Sequence, residues 1–188
     1  MNHGPRHIVA FSGSRAEFGL QLPLLQAIQS DPRLRLSLVL GGTHLSARDG
    51  RTEWEVAESG LPVADRVMCT VADTRQATPI AIGETAVGMA LSLSKLLPDA
   101  CLVYADRYET FGATIAATQM GIPTFHVEGG DVTEGGALDD AVRDAISRLA
   151  HVHLTTNAVA TDRLVRMGEE PWRVINIGAV VDDYVRRS

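Results

Sequence analysis

The chain has 188 residues, 45% of them hydrophobic and 21% charged, with a formal net charge of −6. That apolar fraction excludes a disordered chain, and the acidic balance argues against a general binder of nucleic acid or of an anionic membrane surface. No uncharged apolar run approaches the roughly 18 residues of a membrane-spanning helix, and the length suits one domain with a full core.

Apolar runs rich in β-branched residues alternate with longer segments of helical period, the pattern of a parallel α/β sheet. The opening apolar stretch is too short for a secretory signal and reads as a first strand, His7–Phe11. A polar turn then leads into a helix through about Ser30, which Asp31-Pro32 closes because the residue before proline is pushed out of the α region. Leu34–Leu40 is the second strand and ends in Gly41-Gly42; a short helix over Thr52–Ser59 and a third strand over Pro62–Cys69 follow. A polar loop, Asp73–Thr78, precedes a long helix over Ile80–Leu97. Then come Cys101–Ala105 (strand), Glu109–Met120 (helix) and Thr124–Val127 (strand). After a Gly-rich loop the elements are Asp139–Leu149 (helix), His151–Thr155 (strand), Ala158–Met167 (helix) and Val174–Ile177 (strand). The expected fold is one doubly wound, mostly parallel, Rossmann-like α/β domain. Cys69 and Cys101 fall in strand-like runs and read as reduced core thiols, which favours a cytoplasmic location. Trp54 and Trp172 read as packing residues, and Glu169-Glu170 before Pro171 as a solvated turn.

Such sheets bind ligands at the carboxyl ends of their strands, near a switch in strand order. This selects four loops: Ser12–Glu17, Gly41–His44, Asp106-Arg107 with Glu109, and His126–Asp140. The first is a strand-to-helix turn whose free amides and Arg15 suit a phosphate; equally, Ser14 caps the helix and Arg15 pairs with a nearby acid. It is neither GxGxxG nor a P-loop. Asp106 emerges from a buried strand, where a carboxylate can have a raised pKa and act as acid or base; the plain alternative is a cap beside an Arg107–Glu109 pair. His126 and Glu128 are two apart and are expected to share a strand face, with Gly129-Gly130 allowing close approach to a ligand or a sharp turn. Asp139 and Arg143 fit an ordinary i,i+4 contact at a helix start. His151 and His153 have no third metal ligand at a convincing spacing and read as core or strand-start histidines.

Together these loops resemble the hydrolysing UDP-N-acetylglucosamine 2-epimerases. The likeness is carried by Ser12-Gly13-Ser14-Arg15-Ala16-Glu17-Phe18-Gly19, by Gly42-Thr43-His44-Leu45-Ser46, and by Asp106-Arg107-Tyr108-Glu109. It continues through His126-Val127-Glu128-Gly129-Gly130-Asp131 to Leu138-Asp139-Asp140 and along the helix to His151. The resemblance implies elimination of the nucleoside diphosphate from a 2-acetamido sugar to give a glycal, then hydration to N-acetylmannosamine or a relative. It implies catalytic roles for Asp106, Glu128 and Asp139, with His126 close by. It also implies substrate contacts for Arg15, the amide of Ala16, His44, Arg107 and Arg143. The implied substrate is a nucleotide sugar, with no cofactor and no metal, and related enzymes pair as homodimers through this lobe. The chain departs from the family pattern at Ala105, where glycine is usual, at Asp144, where histidine is usual, and in a longer Gly-Gly-Ala-Leu loop. The family has two lobes in the glycosyltransferase-B arrangement. Residues 1–178 correspond to the N-terminal catalytic lobe and 179–188 to the hinge, with the second lobe absent or on a separate chain. Two other readings remain: a non-catalytic dimerisation or regulatory domain, and another glycosyltransferase-B enzyme.

Overall fold

Seven strands pair in parallel in the order β3-β2-β1-β4-β5-β6-β7. The computed structural model describes residues 4–72, 74–133 and 138–180. The elements run β1 (Arg6–Ser12), α1 (Arg15–Ser30), β2 (Leu34–Leu40), α2 (Glu53–Glu58), β3 (Val63–Arg66), α3 (Ala77–Leu96) and β4 (Ala100–Tyr104). They continue α4 (Tyr108–Gln119), β5 (Thr124–Val127), α5 (Leu138–Leu149), β6 (Val152–Thr155), α6 (Ala158–Arg166) and β7 (Val174–Asn176). Among the described residues, no helix is long and apolar enough to cross a membrane.

The order reverses between β1 and β4; Ile8 of β1 pairs with Leu36 of β2 on one side and with Ala100 of β4 on the other. Right-handed crossovers therefore place α1 and α2 on one face of the sheet and α3, α4 and α5 on the other. The core divides the same way. Ala10, Leu38, Leu102 and Tyr104 pack with Phe18, Leu25 and Val56, whereas Val9, Phe11, Cys101 and Val103 pack with Met89, Ala113 and Ile146. Alternation along each buried strand supplies both faces.

Asp31 closes α1 in extended backbone, φ −85° and ψ 116°, as a residue before proline must. Several expectations need correction. The third strand stops at Arg66, so Cys69 lies in the loop beyond it; Cys101 is buried and its thiol is pushed up to about 12 by desolvation. The helix expected from Ile80 starts at Ala77, because a proline in the first turn, Pro79, gives up only an amide that had no partner there. Trp54 and Trp172 are exposed rather than packed. Glu169 is buried, not solvated: it binds Arg148 at 2.6 Å, Arg173 at 2.5 Å and His153 at 3.2 Å, tying α5 and β6 to the start of β7. The hinge read at 179–188 lies outside the described residues from 181 onward, as does the loop stretch 134–137.

Candidate active site

At the carboxyl ends of β4 and β5 the chain leaves regular strand in the same way twice. Tyr104 and Val127 are the last paired residues of the two strands, and the next residue of each, Ala105 and Glu128, is left-handed, with φ 58° and 63°. Neither is glycine, and left-handed backbone at such residues is uncommon and strained. Both amides stay in the ladder pattern, Ala105 N donating to Val127 O at 3.0 Å and Glu128 N to Leu154 O at 3.0 Å.

That turn overturns the expectation that His126 and Glu128 share a face. The His126 ring packs toward α5, with Nδ1 3.0 Å from Ser147 Oγ and Nε2 2.8 Å from the Ala105 carbonyl. Glu128 swings to the opposite side, where its Oε1 accepts from the Tyr104 hydroxyl. The alternation rule holds only while the backbone remains extended, and it ends at Val127.

Arg143 of α5 links the two strand ends. Its guanidinium, 8% exposed, donates to Asp106 Oδ2, to the Glu128 carbonyl at 3.1 Å and to Thr133 Oγ1 at 3.4 Å. The i,i+4 pair with Asp139 is replaced by these contacts and by Asp140, whose Oδ1 lies 4.0 Å from Nε. Asp139 is exposed in the first turn of α5, near enough that its charge helps to raise the pKa of Asp106. Burial is the larger cause of that rise, and Arg143 opposes it. Glu128 is likewise raised, by burial first, then by Asp131 and Asp106, against the pull of Tyr104 and Arg143. Asp131 itself fastens the loop to α6, accepting from Thr156 Oγ1 at 2.7 Å and Asn157 Nδ2 at 3.0 Å.

His126 has no exposed surface, and desolvation pushes it down to about 3, so it is neutral in the fold. It lies beneath the loop rather than at its surface. The glycines above it are packing requirements: a Cβ on Gly129 would stand 2.9 Å from His126 Nδ1, and one on Gly130, with φ 80°, would stand 2.5 Å from the Ala160 carbonyl.

The other side of the switch point is built from β1, α1 and the loop after β2. Ser14 caps α1, accepting from the Glu17 amide at 3.4 Å. Arg15 and Ala16 are exposed in the first turn, and Arg15 Nε pairs with Glu55 at 2.8 Å. Glu17 turns inward and is pushed up to about 8, chiefly by desolvation. It accepts from Ser14 Oγ at 3.2 Å and Thr110 Oγ1 at 3.3 Å. Glu109 is wholly buried and receives Arg107 through two nitrogens, at 2.9 and 3.1 Å. Gly42, with φ 53°, closes over this pair; a Cβ there would stand 2.7 Å from Glu109 Oε1. His44 is fully buried between Ser12 Oγ at 3.0 Å and Thr52 Oγ1 at 2.9 Å, and desolvation lowers it to about 4. Its ring therefore braces the loop and presents no atom to the crevice. Arg107 stays one-third exposed and lines a cleft of about 360 Å³ with Thr43, Arg48, Asp49 and Tyr108.

Asp106, Glu128 and Arg143 thus meet at one point on the crevice, with Asp139 beside them. Half-buried carboxyls with raised pKa values, set at different strand ends, suit proton transfer to and from a bound molecule. Tyr104 and Glu17 were not singled out from sequence. One reads as another strand aromatic and the other as a first-turn acid, and only burial separates them from those roles.

The family described as UDP-N-acetylglucosamine 2-epimerase matches residues 26–188. A Legionella pneumophila protein named UDP-N,N'-diacetylbacillosamine 2-epimerase (hydrolyzing) is 31% identical over 175 residues, covering 93% of this chain and 46% of that protein. The UDP-N-acetylglucosamine 2-epimerase of Neisseria meningitidis is 32% identical over 177 residues, covering 93% of this chain and 45% of its own length. Among solved structures, the Methanocaldococcus jannaschii UDP-GlcNAc 2-epimerase in complex with UDP-GlcNAc and UDP superposes with a TM-score of 0.82 at 18% identity. That match covers 96% of this chain and 49% of the other. The chain spans about half the length of these relatives.

Proposed function

The chain belongs to the UDP-N-acetylglucosamine 2-epimerase family, and on that premise we propose that it is the N-terminal, catalytic lobe of a hydrolysing member. The observation that carries this reading is the meeting of Asp106, Glu128 and Arg143 on strained strand ends at the switch point.

The reaction explains why several carboxyls are needed. A C2 proton beside an acetamido group is barely acidic, so departure of the diphosphate from C1 leads and leaves positive charge on the ring. Loss of the C2 proton then gives a glycal. Water adds to C1, and a proton returns to the other face of C2, so that UDP-N-acetylglucosamine and water yield UDP and N-acetylmannosamine or a related sugar. Ionised acids near C1 and C2 stabilise the ring charge, and the raised pKa values of Asp106 and Glu128 make their carboxylates better proton acceptors. We assign these tasks to Asp106, Glu128 and Asp139. Arg143 orients the Asp106 carboxyl and the Glu128 backbone rather than meeting substrate, since its two terminal nitrogens donate to Asp106, the Glu128 carbonyl and Thr133, and its Nε is buried. His126 and His44 are positioning residues, held neutral beneath their loops.

Arg15 and the Ala16 amide receive the diphosphate at the start of α1. The Arg15–Glu55 pair is mostly solvent-exposed on the arginine side, and pairs of this kind contribute at most about 1 kcal/mol, so an incoming anion displaces it readily. Arg107 faces the same crevice. Nucleotide contacts from a second lobe complete the site, and without them this chain binds UDP-sugar weakly and turns nothing over. A homodimer and a reducing, cytoplasmic setting belong to the same proposal, the latter resting on the two free thiols.

The test is release of UDP and free amino sugar, measured on the chain alone and together with a C-terminal lobe. Asp106→Asn and Glu128→Gln each lower turnover at least about 100-fold, the lower range for one acid–base group; Glu128→Gln changes thermal unfolding of the chain little, whereas Asp106→Asn also lowers stability by neutralising the partner of buried Arg143. Near-normal turnover in both variants overturns the site. A product that retains its nucleotide overturns the hydrolytic reaction. Failure of every second lobe to restore UDP release favours a non-catalytic domain.

A further inference from the structure

We infer that Tyr104 is a positioning residue for Glu128, its hydroxyl fixing one carboxylate oxygen so that the other is presented to the crevice at a set place. The inference rests on the reading of Glu128 as a proton-handling group. Tyr104 is the last residue of β4, 2% exposed, with its ring in the core beside Phe18, Leu102 and Val127. A ring alone would fill that space, and phenylalanine would fill it at no polar cost. The buried hydroxyl needs an acceptor, and the acceptor it has is a half-buried carboxylate on the neighbouring strand end rather than a core carbonyl.

The backbone is arranged around this contact. Had β5 continued extended, Glu128 would lie on the His126 side, away from the tyrosine. Its left-handed φ of 63° directs the carboxylate across to Tyr104, while Arg143 holds the Glu128 carbonyl at 3.1 Å. Main chain and side chain of Glu128 are therefore gripped separately, from α5 and from β4. Among the described residues no donor meets its second oxygen, Oε2, and that atom is left for substrate.

The charged groups around the pair are Arg143 of α5, Asp106 beyond β4 and Asp131 beyond β5, with Glu17 of α1 acting on the tyrosine. Burial and these acids push the phenol well above its ordinary value, so Tyr104 remains a donor throughout the working range. Its hydrogen bond favours ionised Glu128, against burial and the two aspartates.

The experiment reads Glu128 directly in the 188-residue chain, by carbon NMR of side-chain carboxyl-labelled glutamate, the resonance being identified by its loss in Glu128→Gln. Tyr104→Phe is expected to raise the Glu128 titration midpoint by about one pH unit, the size of one charge-assisted hydrogen bond partly replaced by water. If Tyr104→Phe does not fold, 3-fluorotyrosine at position 104 replaces it. As a stronger donor in the same space, it moves the midpoint downward. An unchanged midpoint in a folded variant overturns the inference, because a merely structural tyrosine leaves Glu128 as it was. In the assembled enzyme, Tyr104→Phe lowers kcat with KM unchanged and shifts the acid limb of the pH profile upward. Normal turnover in Glu128→Gln removes the catalytic reading of Glu128 instead, and the NMR midpoint keeps the two failures apart.

Discussion

The two sides of the crevice carry the same kinds of side chain and use them oppositely. On the β1–α1 side, Glu17, Glu109 and Arg107 surround Gly13 and Gly42, and His44 sits below. On the β4–β5 side, Asp106, Glu128 and Arg143 surround the strand ends, and His126 sits below. Each side has two acids, one arginine and one neutral, buried histidine. The first pair of acids is sealed: Glu109 is wholly buried, and Glu17 spends both oxygens on hydroxyls. The second pair is half open. The motif Asp106-Arg107-Tyr108-Glu109 is itself divided, its first residue serving the open cluster and its second and fourth the sealed one. Charge at the switch point is thus a poor sign of chemistry until burial is known. The sealed cluster builds the wall, and the open one has groups to spare for a ligand.

If the contrast is right, substitutions in the sealed cluster change stability and those in the open cluster change activity. The largest stability effect is expected at Glu17. A carboxyl raised from 4.5 to about 8 in the fold stays protonated there, while the unfolded chain ionises near 4.5. Folding takes up a proton within that window, so the contribution is fully present below pH 4.5 and is lost as pH rises to 8. The limit is about 5 kcal/mol across the window. Glu17→Gln keeps the shape without the proton and removes that fall. Urea unfolding at pH 5, 6.5 and 8 should show the variant gaining on the native chain at each step. Equal pH slopes in the two proteins would mean that water reaches Glu17. His44 and His126 act the other way, their folded values lying below 6.5, so their contribution is lost as pH falls from 6.5 toward 4 and 3.

Next in size is Glu109→Ala. Removing one member of a buried ion pair leaves the other uncompensated and costs about 3 kcal/mol. Arg107 is one-third exposed, which gives it some access to water and keeps the loss at the lower end of the range. Denaturant titration of Glu109→Ala beside Glu128→Gln measures the contrast. A loss in Glu128→Gln as large as that in Glu109→Ala would erase the distinction between the wall and the working groups.

The order of elements was legible because parallel strands buried on both faces announce themselves as β-branched runs, and because Asp31-Pro32 marks a helix end unambiguously. Asp106 and Glu128 were legible for the same reason, as acids placed where buried strands end. What sequence hid was direction. Whether Glu128 faces His126 or Tyr104 turns on the φ of one residue, and no composition rule assigns a left-handed conformation to glutamate. Burial was hidden too, since Glu169 before Pro171 looks like any turn acid until Arg148, Arg173 and His153 close around it. Asp139 shows a further limit. Its local pattern is an ordinary helix start, and only resemblance raised it to a candidate.

The smallest effect tests the open cluster's backbone. Ala105 has φ 58°, where a Cβ costs roughly 1–2 kcal/mol, and glycine is usual at this place in the resembling family. Ala105→Gly relieves that strain but gives the unfolded chain more freedom, a cost of about 0.5–1 kcal/mol. The net gain should be about 0.5–1 kcal/mol in denaturant unfolding. Activity should hardly move, because the backbone at 105 is held at both ends: its amide donates to Val127 O at 3.0 Å, and its carbonyl lies 2.8 Å from His126 Nε2. Those bonds keep Asp106 aimed whether or not a methyl group is present. A stabilised variant with unchanged turnover would make the strain a tolerated by-product of how β4 ends. A stabilised variant with reduced turnover would instead show that the alanine methyl helps to hold the cluster that the strain surrounds.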